Sequence, residues 1–428
     1  MQAAALVDGR PAEVVVVGAG AAGLWAAEVA ARAGARVLLL EKTARTGTKI
    51  LASGGTRCNL TTTLEAGDAA ALFGKAGERF LLPAFWNLPP EAVRARFHAW
   101  GVPTETAPLE KVFPASHNAK DVRDALERAA RAAGAEIRLA APLRGLERGE
   151  QGFRLHLADG ARWTAPRVIL AVGGQSYPKT GTTGDGYAWL RALRLPLVEP
   201  VPALVPLRSP AAWVRELTGI ALPEVELRLC GPGGLTYERR RRPLLFTHQG
   251  LSGPGAMDLS LRVARAALAG PVEGWSLAVD FLPDLDREEL RRRCIEAAGQ
   301  AGNPRLDQLF GLDLPRRVED LLVERCGLSG LPFRVQSLDR ARRHAWVETL
   351  KGWPLPVDGT LGYDKAEVTA GGLALKAVDA QTLRVHGIPG LYVVGELLDL
   401  QGPIGGLNFQ AAFATAELAG QDAARRPA

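Results

Sequence analysis

The apolar positions of this chain fall into two kinds of run. Val14 to Val17, Val37 to Leu40, Val168 to Val172 and Leu391 to Val394 are short, continuous and aliphatic, the pattern of parallel strands buried on both faces. Phe409, Ala412, Phe413 and Ala416 instead recur at helical spacing and predict a buried helix that begins near Gly406. An alanine-rich stretch up to Ala33 and the segment Lys120 to Ala133 predict two further helices. Roughly Leu143 to Thr164 reads as a three-stranded antiparallel meander.

The order of these elements predicts a discontinuous α/β domain. At 428 residues the chain exceeds what one core usually organises. Residues 1–195 and 353–428 are expected to form a Rossmann-type domain of the glutathione reductase kind. Residues 196–352 are expected to be an insert that covers the cofactor, entered through the Pro-rich PLVEPVPALVPL. Its β part runs from about 196 to 284, with strand-like runs such as Val225 to Leu229. Its helical part, about 285 to 345, carries amphipathic spacing at Glu288 to Ala298 and Leu314 to Cys326.

The first strand ends in Gly18-Ala19-Gly20-Ala21-Ala22-Gly23, a G-x-G-x-x-G that opens a helix. Such glycines allow a tight turn and a close backbone approach to a pyrophosphate, whose charge meets the helix N-terminus. Glu41, which closes the second strand, is placed to accept hydrogen bonds from ribose hydroxyls. A carboxylate there disfavours a 2′-phosphate, and so disfavours NADP in this site.

Three later segments point to FAD rather than NAD. Thr46 to Thr63, TGTKILASGGTRCNLTTT, is too polar for core and reads as a loop around a polar ligand. There Lys49 and Arg57 are available to phosphate, and Gly54 and Gly55 let main chain approach a ring edge; a mobile surface loop is the alternative. The strand at Val168 runs into Gly173-Gly174, and Asp185 then sits in the first turn of a helix, either as its cap or as a cofactor contact. Gly395-Glu396 follows the last strand. Gly405, Gly406 and Asn408 surround a helix N-terminus, which at the pyrimidine end of a flavin would stabilise charge on N1 and O2.

Charge and cysteine usage change the picture only at the margins. The formal net charge is +6, with clusters at Arg239 to Arg242 and Arg291 to Arg293, but only 9 of the 52 basic residues are lysines. Arginine enrichment along the whole chain argues for compositional bias rather than a nucleic-acid surface. Cys58, Cys230, Cys294 and Cys326 are scattered, with no metal-ligand spacing, so no metal is expected. The N-terminus carries no signal-peptide pattern and no apolar run of membrane length. A cytoplasmic protein without membrane association is expected, and nothing in the pattern addresses its oligomeric state.

The motifs GAGAAG with Glu41-Lys42, KILASGGTRCN, VFPAS, AVGGQSYPKTGTTGDGYAW, FTHQGLSGPGAMDLS, VTAGGLAL and VVGELLDLQGPIGGLNFQAAF, in this order, resemble the bacterial NAD(P)/FAD-dependent oxidoreductases of the BaiN and YhiN type, aminoacetone oxidase-like flavoproteins. The likeness spans nearly the whole chain. It implies FAD contacts at Gly18, Gly20, Ala22, Gly23, Glu41, Lys42, Lys49, Ile50, Ser53, Gly54, Arg57, Cys58 and Asn59, with Ala21 in the same turn. It implies further contacts at Gly173, Asp185, Glu396, Asp399, Gly405, Gly406 and Asn408, beside Gly174 and Gly395. The chain departs from the family pattern at Thr56, where a third glycine is usual, at Leu407, where an aromatic is usual, and over Thr382 to Val385.

The resemblance implies either amine oxidation with peroxide release or reduction of an activated enone. The reaction is therefore expected to pass a hydride between a small organic substrate and flavin N5, with NAD(P)H or dioxygen as the other redox partner. No second G-x-G-x-x-G opens a βαβ unit, so a nicotinamide would act as a transient donor. An RNA-modifying flavoprotein and a flavin module without turnover are the alternatives. His248 is the candidate general acid/base, against a histidine merely hydrogen-bonded at a domain junction. Ser252 and Pro254 read as the start of the helix behind it. FAD is expected to be noncovalent, since Cys58 is the one attachment residue the loop motifs offer.

Overall fold

The computed structural model describes residues 3–150, 152–299 and 302–425, and the chain divides into two compact units, 1–203 with 363–428, and 204–362. In the first unit, strand β1 (Val14–Val17) leads into helix α1 (Ala21–Arg32) and strand β2 (Val37–Leu40). Helices α2 (Thr48–Ala52), α3 (Gly74–Asn87) and α4 (Ala119–Ala132) follow. Then come β3 (Glu136–Arg138), the meander β4 (Leu143–Gly149), β5 (Gly152–Leu157) and β6 (Arg162–Ala165), and β7 (Val168–Leu170). Helix α5 (Asp185–Ala192) and β8 (Leu197–Ala203) close the N-terminal segment. The C-terminal segment adds β9 (Val368–Leu373), β10 (Leu391–Val393) and α6 (Leu407–Ala424).

These segments interleave in one five-stranded parallel sheet of order β10, β7, β1, β2, β3. Every residue of β1, β2, β7 and β10 is buried, which is why their sequences show no alternation. β7 lies between β1 and β10, with Ile169 opposite both Val16 and Tyr392. The meander pairs antiparallel as its pattern predicts. α6 is buried along most of its length and packs on α1 so closely that a Cβ on Gly420 would lie 2.9 Å from the Ala26 carbonyl oxygen.

The α1–α6 contact also carries polar groups. Trp25 Nε1 donates to Glu417 Oε2 at 2.7 Å, and Arg96 Nη1 donates to the same oxygen at 2.6 Å. The Arg96 guanidinium lies 4.8 Å from the Trp25 ring centroid. Glu28 lies beside this group, and burial raises its carboxyl above the usual range despite Arg32 and Arg96.

The second unit has its own core, which includes Leu227, Leu229, Leu277, Val279, Trp346 and Trp353. Its four-stranded antiparallel sheet runs Thr236–Arg241, Glu226–Cys230, Trp275–Asp280, Trp353–Val357. The helices Arg287–Ala298, Arg316–Arg325 and Arg340–Gly352 follow the β part. Asp286 and Asp339 cap two of them by accepting from the N–H groups of Glu289 and Arg342. Among the described residues no helix is long and apolar enough to cross a membrane.

Both arginine clusters are ion-paired. Arg239, Arg240 and Arg241 lie within 4.0 Å of Glu226, Glu238 and Asp284 respectively. Arg291 pairs with Glu348, and Arg292 and Arg293 with Glu289. Their sequence neighbours carry mixed charge, so strand and helix spacing neutralises what reads linearly as a basic run.

Candidate functional site

The three glycines of GAGAAG have different surroundings. Gly18 has a φ of +98°, and a Cβ there would lie 2.6 Å from the Ala171 carbonyl oxygen; at Gly23 it would lie 1.7 Å from the Gly18 oxygen. Both are required by packing. Gly20, which caps α1 at φ −80°, has nothing within 4 Å of the position a Cβ would take. Its missing side chain therefore leaves space at a helix N-terminus, with Ala21 and Ala22 forming the first turn, and this fits the close approach of a pyrophosphate.

Glu41 is fixed at the rim of this turn. Its Oε2 accepts from the Ala19 N–H at 2.8 Å, and its Oε1 accepts from the N–H and Oγ1 of Thr43. A lone pair of Oε2 is left for a ribose hydroxyl. The neighbouring Lys42 turns elsewhere: its Nζ donates to Thr183 Oγ1 and Asp185 Oδ2, both at 2.6 Å. Asp185 stands in the first turn of α5, where this cation and the helix N-terminus both hold its negative charge.

A second polar group joins the N-terminal and C-terminal segments of the unit. Lys49 Nζ, on α2, donates to Ser176 Oγ at 2.5 Å and to Glu396 Oε2 at 2.7 Å. Glu396 Oε1 accepts from Ser176 Oγ and from the Thr369 N–H, each at 2.9 Å. Thr369 Oγ1 accepts in turn from the N–H groups of Gln175 and Ser176. Gly174 faces this group, and a Cβ there would lie 2.3 Å from Thr369 Oγ1; Gly173 turns the chain at φ +71°. Ser176 and Thr369 are fully buried and were not singled out from sequence, although both sit inside the GGQS and VTAGG motifs.

The loop after α2 is tightly wound. Ser53 Oγ donates to the carbonyl of Ile50, a buried residue, and Asn59 Oδ1 accepts from the Val112 N–H. Gly54, Gly55, Thr56 and Cys58 all have positive φ. Thr56, at φ +68°, thus occupies a position where glycine is unstrained and a β-branched residue is not. The Arg57 guanidinium lies 4.7 Å from the Phe113 ring centroid. Burial pushes the Cys58 thiol up to about 12, so at neutral pH it is neither a nucleophile nor a ready attachment point.

At the C-terminal end, Gly395 packs against the first turn of α1, where its Cβ position is 3.1 Å from Ala22 Cβ, and its N–H donates to Thr415 Oγ1. The Asp399 N–H donates to the Leu373 carbonyl. Gly405 and Gly406 have φ of +152° and +82°; a Cβ on Gly406 would lie 2.0 Å from the Thr61 oxygen. Asn408 brackets Gly402, accepting from its N–H and donating to its carbonyl, which shapes the loop before α6. Leu407, where the resemblance has an aromatic, is buried at the start of this helix.

The remaining candidate lies in the other unit. His248 is exposed, at the tip of the hairpin joining Leu244–Thr247 to Gly250–Ser252, and no side chain orients its ring. Ser252 precedes the helix Gly253–Asp258, but its side chain makes no capping bond; its Oγ lies 3.6 Å from Met257 Sδ. Among the described residues no group of three or more His, Cys, Asp or Glu is arranged to hold a metal.

The family model described as the HI0933-like protein Rossmann domain matches residues 12–422. The chain is 30% identical over 426 residues to the ribosomal RNA dihydrouridine synthase of Escherichia coli (strain K12), covering 96% of this chain and 97% of that one. It is 32% identical over 425 residues to the 3-dehydro-bile acid delta(4,6)-reductase of Clostridium scindens, covering 96% and 99%. Among solved structures it is similar in fold to the 3-ketosteroid-delta4-(5alpha)-dehydrogenase of Rhodococcus jostii RHA1, at 17% identity and a TM-score of 0.54, over 99% of this chain and 100% of that one.

Proposed function

The chain belongs to the HI0933-like Rossmann family and is an FAD-dependent oxidoreductase, and on that premise we propose that it reduces a carbon–carbon double bond conjugated to a carbonyl. The observation that carries this reading is the chemistry shared by the names of two nearly full-length relatives. Dihydrouridine is uridine saturated at the ring double bond conjugated to a carbonyl, and a 3-oxo group with double bonds at 4 and 6 is a conjugated dienone. The net reaction consumes NAD(P)H and one proton and places two hydrogens across the double bond.

The Gly20 turn, Glu41 and the Lys49–Glu396 group would hold FAD, which when bound would supply hydride transfer at flavin N5. The protein's own part begins with electrostatics. The N-terminus of α6, whose first N–H groups have no acceptor within the helix, is a place where negative charge is stabilised. The accompanying proton needs a donor that stays protonated. Tyr177, next to Ser176, meets that need: burial, and then Glu367, raise its hydroxyl, and its N–H is held by the Tyr363 carbonyl.

The relatives divide over substrate class. Ribosomal RNA dihydrouridine synthases of Escherichia coli and Haemophilus influenzae favour a uridine within RNA, and the Clostridium scindens enzyme favours a free fused-ring enone. We take uridine in RNA as the substrate class, because that name is carried by relatives from two bacteria. Anaerobic stopped-flow with NADH and NADPH, followed by addition of unmodified RNA or a 3-oxo-4,6-diene steroid, tests this reading. Flavin bleaching by a nicotinamide, with reoxidation by one of these acceptors and its saturated product, is expected. Bleaching by an amine, with reoxidation only by dioxygen, would replace the reductase with an oxidase.

A further inference from the structure

We infer that the exposed face of α3 is a docking track for the RNA strand that carries the target base; this rests on the reading of the substrate as uridine in RNA. α3 buries Phe80, Leu81, Ala84 and Phe85 and leaves Lys75, Arg79 and Trp86 exposed along the opposite side at helical spacing. Trp86 is 68% exposed, the most open large apolar side chain among the described residues. An indole turned outward on the same helix face as two cations offers a platform on which a base can stack.

The charges around Trp86 say what covers it. Lys75 and Arg79 are exposed, and among the described residues no carboxylate lies within ion-pair distance of either, unlike the arginines of the two sequence clusters. Glu78, at the margin and half-buried, is the single carboxylate of this helix. Cations along the same helix face as an open indole match a single strand, whose phosphates need positive charge and whose bases stack on any aromatic face. A membrane would need a broad apolar face, and the apolar face of α3 is spent on the core.

The track also starts beside the loop that precedes α6. Phe73, which caps α3, lies under Gly402, where a Cβ would sit 2.8 Å from Phe73 Cζ. Gly402 is the residue that Asn408 brackets ahead of α6. From Lys75 to Trp86 the helix rises about 16 Å, enough to follow a few nucleotides leading away from a base held near that loop.

Fluorescence anisotropy of the FAD-loaded protein with a labelled oligouridine of about a dozen nucleotides tests the inference. Lys75→Gln with Arg79→Gln is expected to lower the salt slope of log affinity by about 1.4, or about 0.7 for each lost phosphate contact. Trp86→Ala is expected to weaken binding about tenfold at an unchanged slope, and Trp86→Phe to restore most of it. All three positions are on the surface, so circular dichroism and flavin content should match the wild type. Unchanged affinity and slope in these variants would overturn the track, as would loss of binding to phosphatidylserine vesicles with oligouridine binding intact. If the wild type binds no oligouridine at low salt but still reduces a free enone with NAD(P)H, the track fails while the reductase stands. If the variants lose oligouridine while no acceptor is reduced, the track holds and the reductase reading fails.

Discussion

Lys49 and Glu396, 347 positions apart in the chain, meet at 2.7 Å, and Ser176 bonds to both. Residues from both segments of the discontinuous unit thus enter one polar group, and neither ion is deeply buried, with side chains 25% and 21% exposed. Such a pair contributes little to stability by itself. Its effect is expected on cofactor binding.

Glu396→Gln is therefore expected to leave the melting temperature of the apoprotein nearly unchanged and to weaken FAD retention. Lys49→Met should behave alike. A double-mutant cycle on FAD affinity, read by flavin fluorescence, should give a coupling of about 1 kcal/mol. Strictly additive losses would mean that the two side chains act on the cofactor independently.

The glycines of the first turn separate fold from function. Gly18→Ala and Gly23→Ala are expected to unfold or strongly destabilise the protein, since each new Cβ meets a carbonyl oxygen at 2.6 or 1.7 Å. Gly20→Ala meets nothing within 4 Å and needs no unusual φ. It should fold with a nearly normal melting temperature and come off the column colourless.

Thr56→Gly is expected to stabilise the protein by about 1 kcal/mol, the strain of a β-branched residue at positive φ less the flexibility that glycine adds to the unfolded chain. Chemical denaturation of the apoprotein reads this directly. A loss of stability would mean that Thr56 Oγ1, which donates to the Gly55 carbonyl, contributes more than the strain costs.

Alkaline pH is expected to unfold the protein early. Burial moves the Cys58 thiol from 9.0 to about 12 and the Cys294 thiol to about 11, and Tyr363 rises to about 12. A raised folded-state value means that the folded chain holds its protons while the unfolded chain releases them. This contribution is fully present below pH 9 and is lost as pH rises towards 12. A denaturation midpoint that stays flat from pH 8 to about 11 would contradict it. Thiol reagents at pH 8 should accordingly label the partly exposed Cys230 before Cys58.

Much of this arrangement is legible in the sequence. A strand buried on both faces cannot alternate, so the VVVV run before GAGAAG and the three later aliphatic runs announce the parallel sheet. The meander and α6 follow from their periodicities. What the sequence does not show is which polar residues are inside. Ser176 and Thr369 are small hydroxyl residues among glycines, and only the register of β9 against β8 and the turn after β7 bring them to Glu396. Arg239 to Arg242 read as a cationic run because three of their acidic partners, Glu226, Asp258 and Asp284, come from distant parts of the chain, whereas Lys75 and Arg79 draw no notice because a helix, not a cluster, lines them up with Trp86.

The bond from Trp25 to Glu417 spans 392 positions, which bears on how the protein is made. At about 5–20 residues per second, α1 leaves the ribosome tens of seconds before α6 exists to cover it. Through that interval its packing face, with Trp25, Ala26 and Val29, has no native partner. The nascent chain is then expected to lean on a holding chaperone, and a stop codon anywhere before Leu407 should yield an insoluble fragment rather than a smaller flavoprotein.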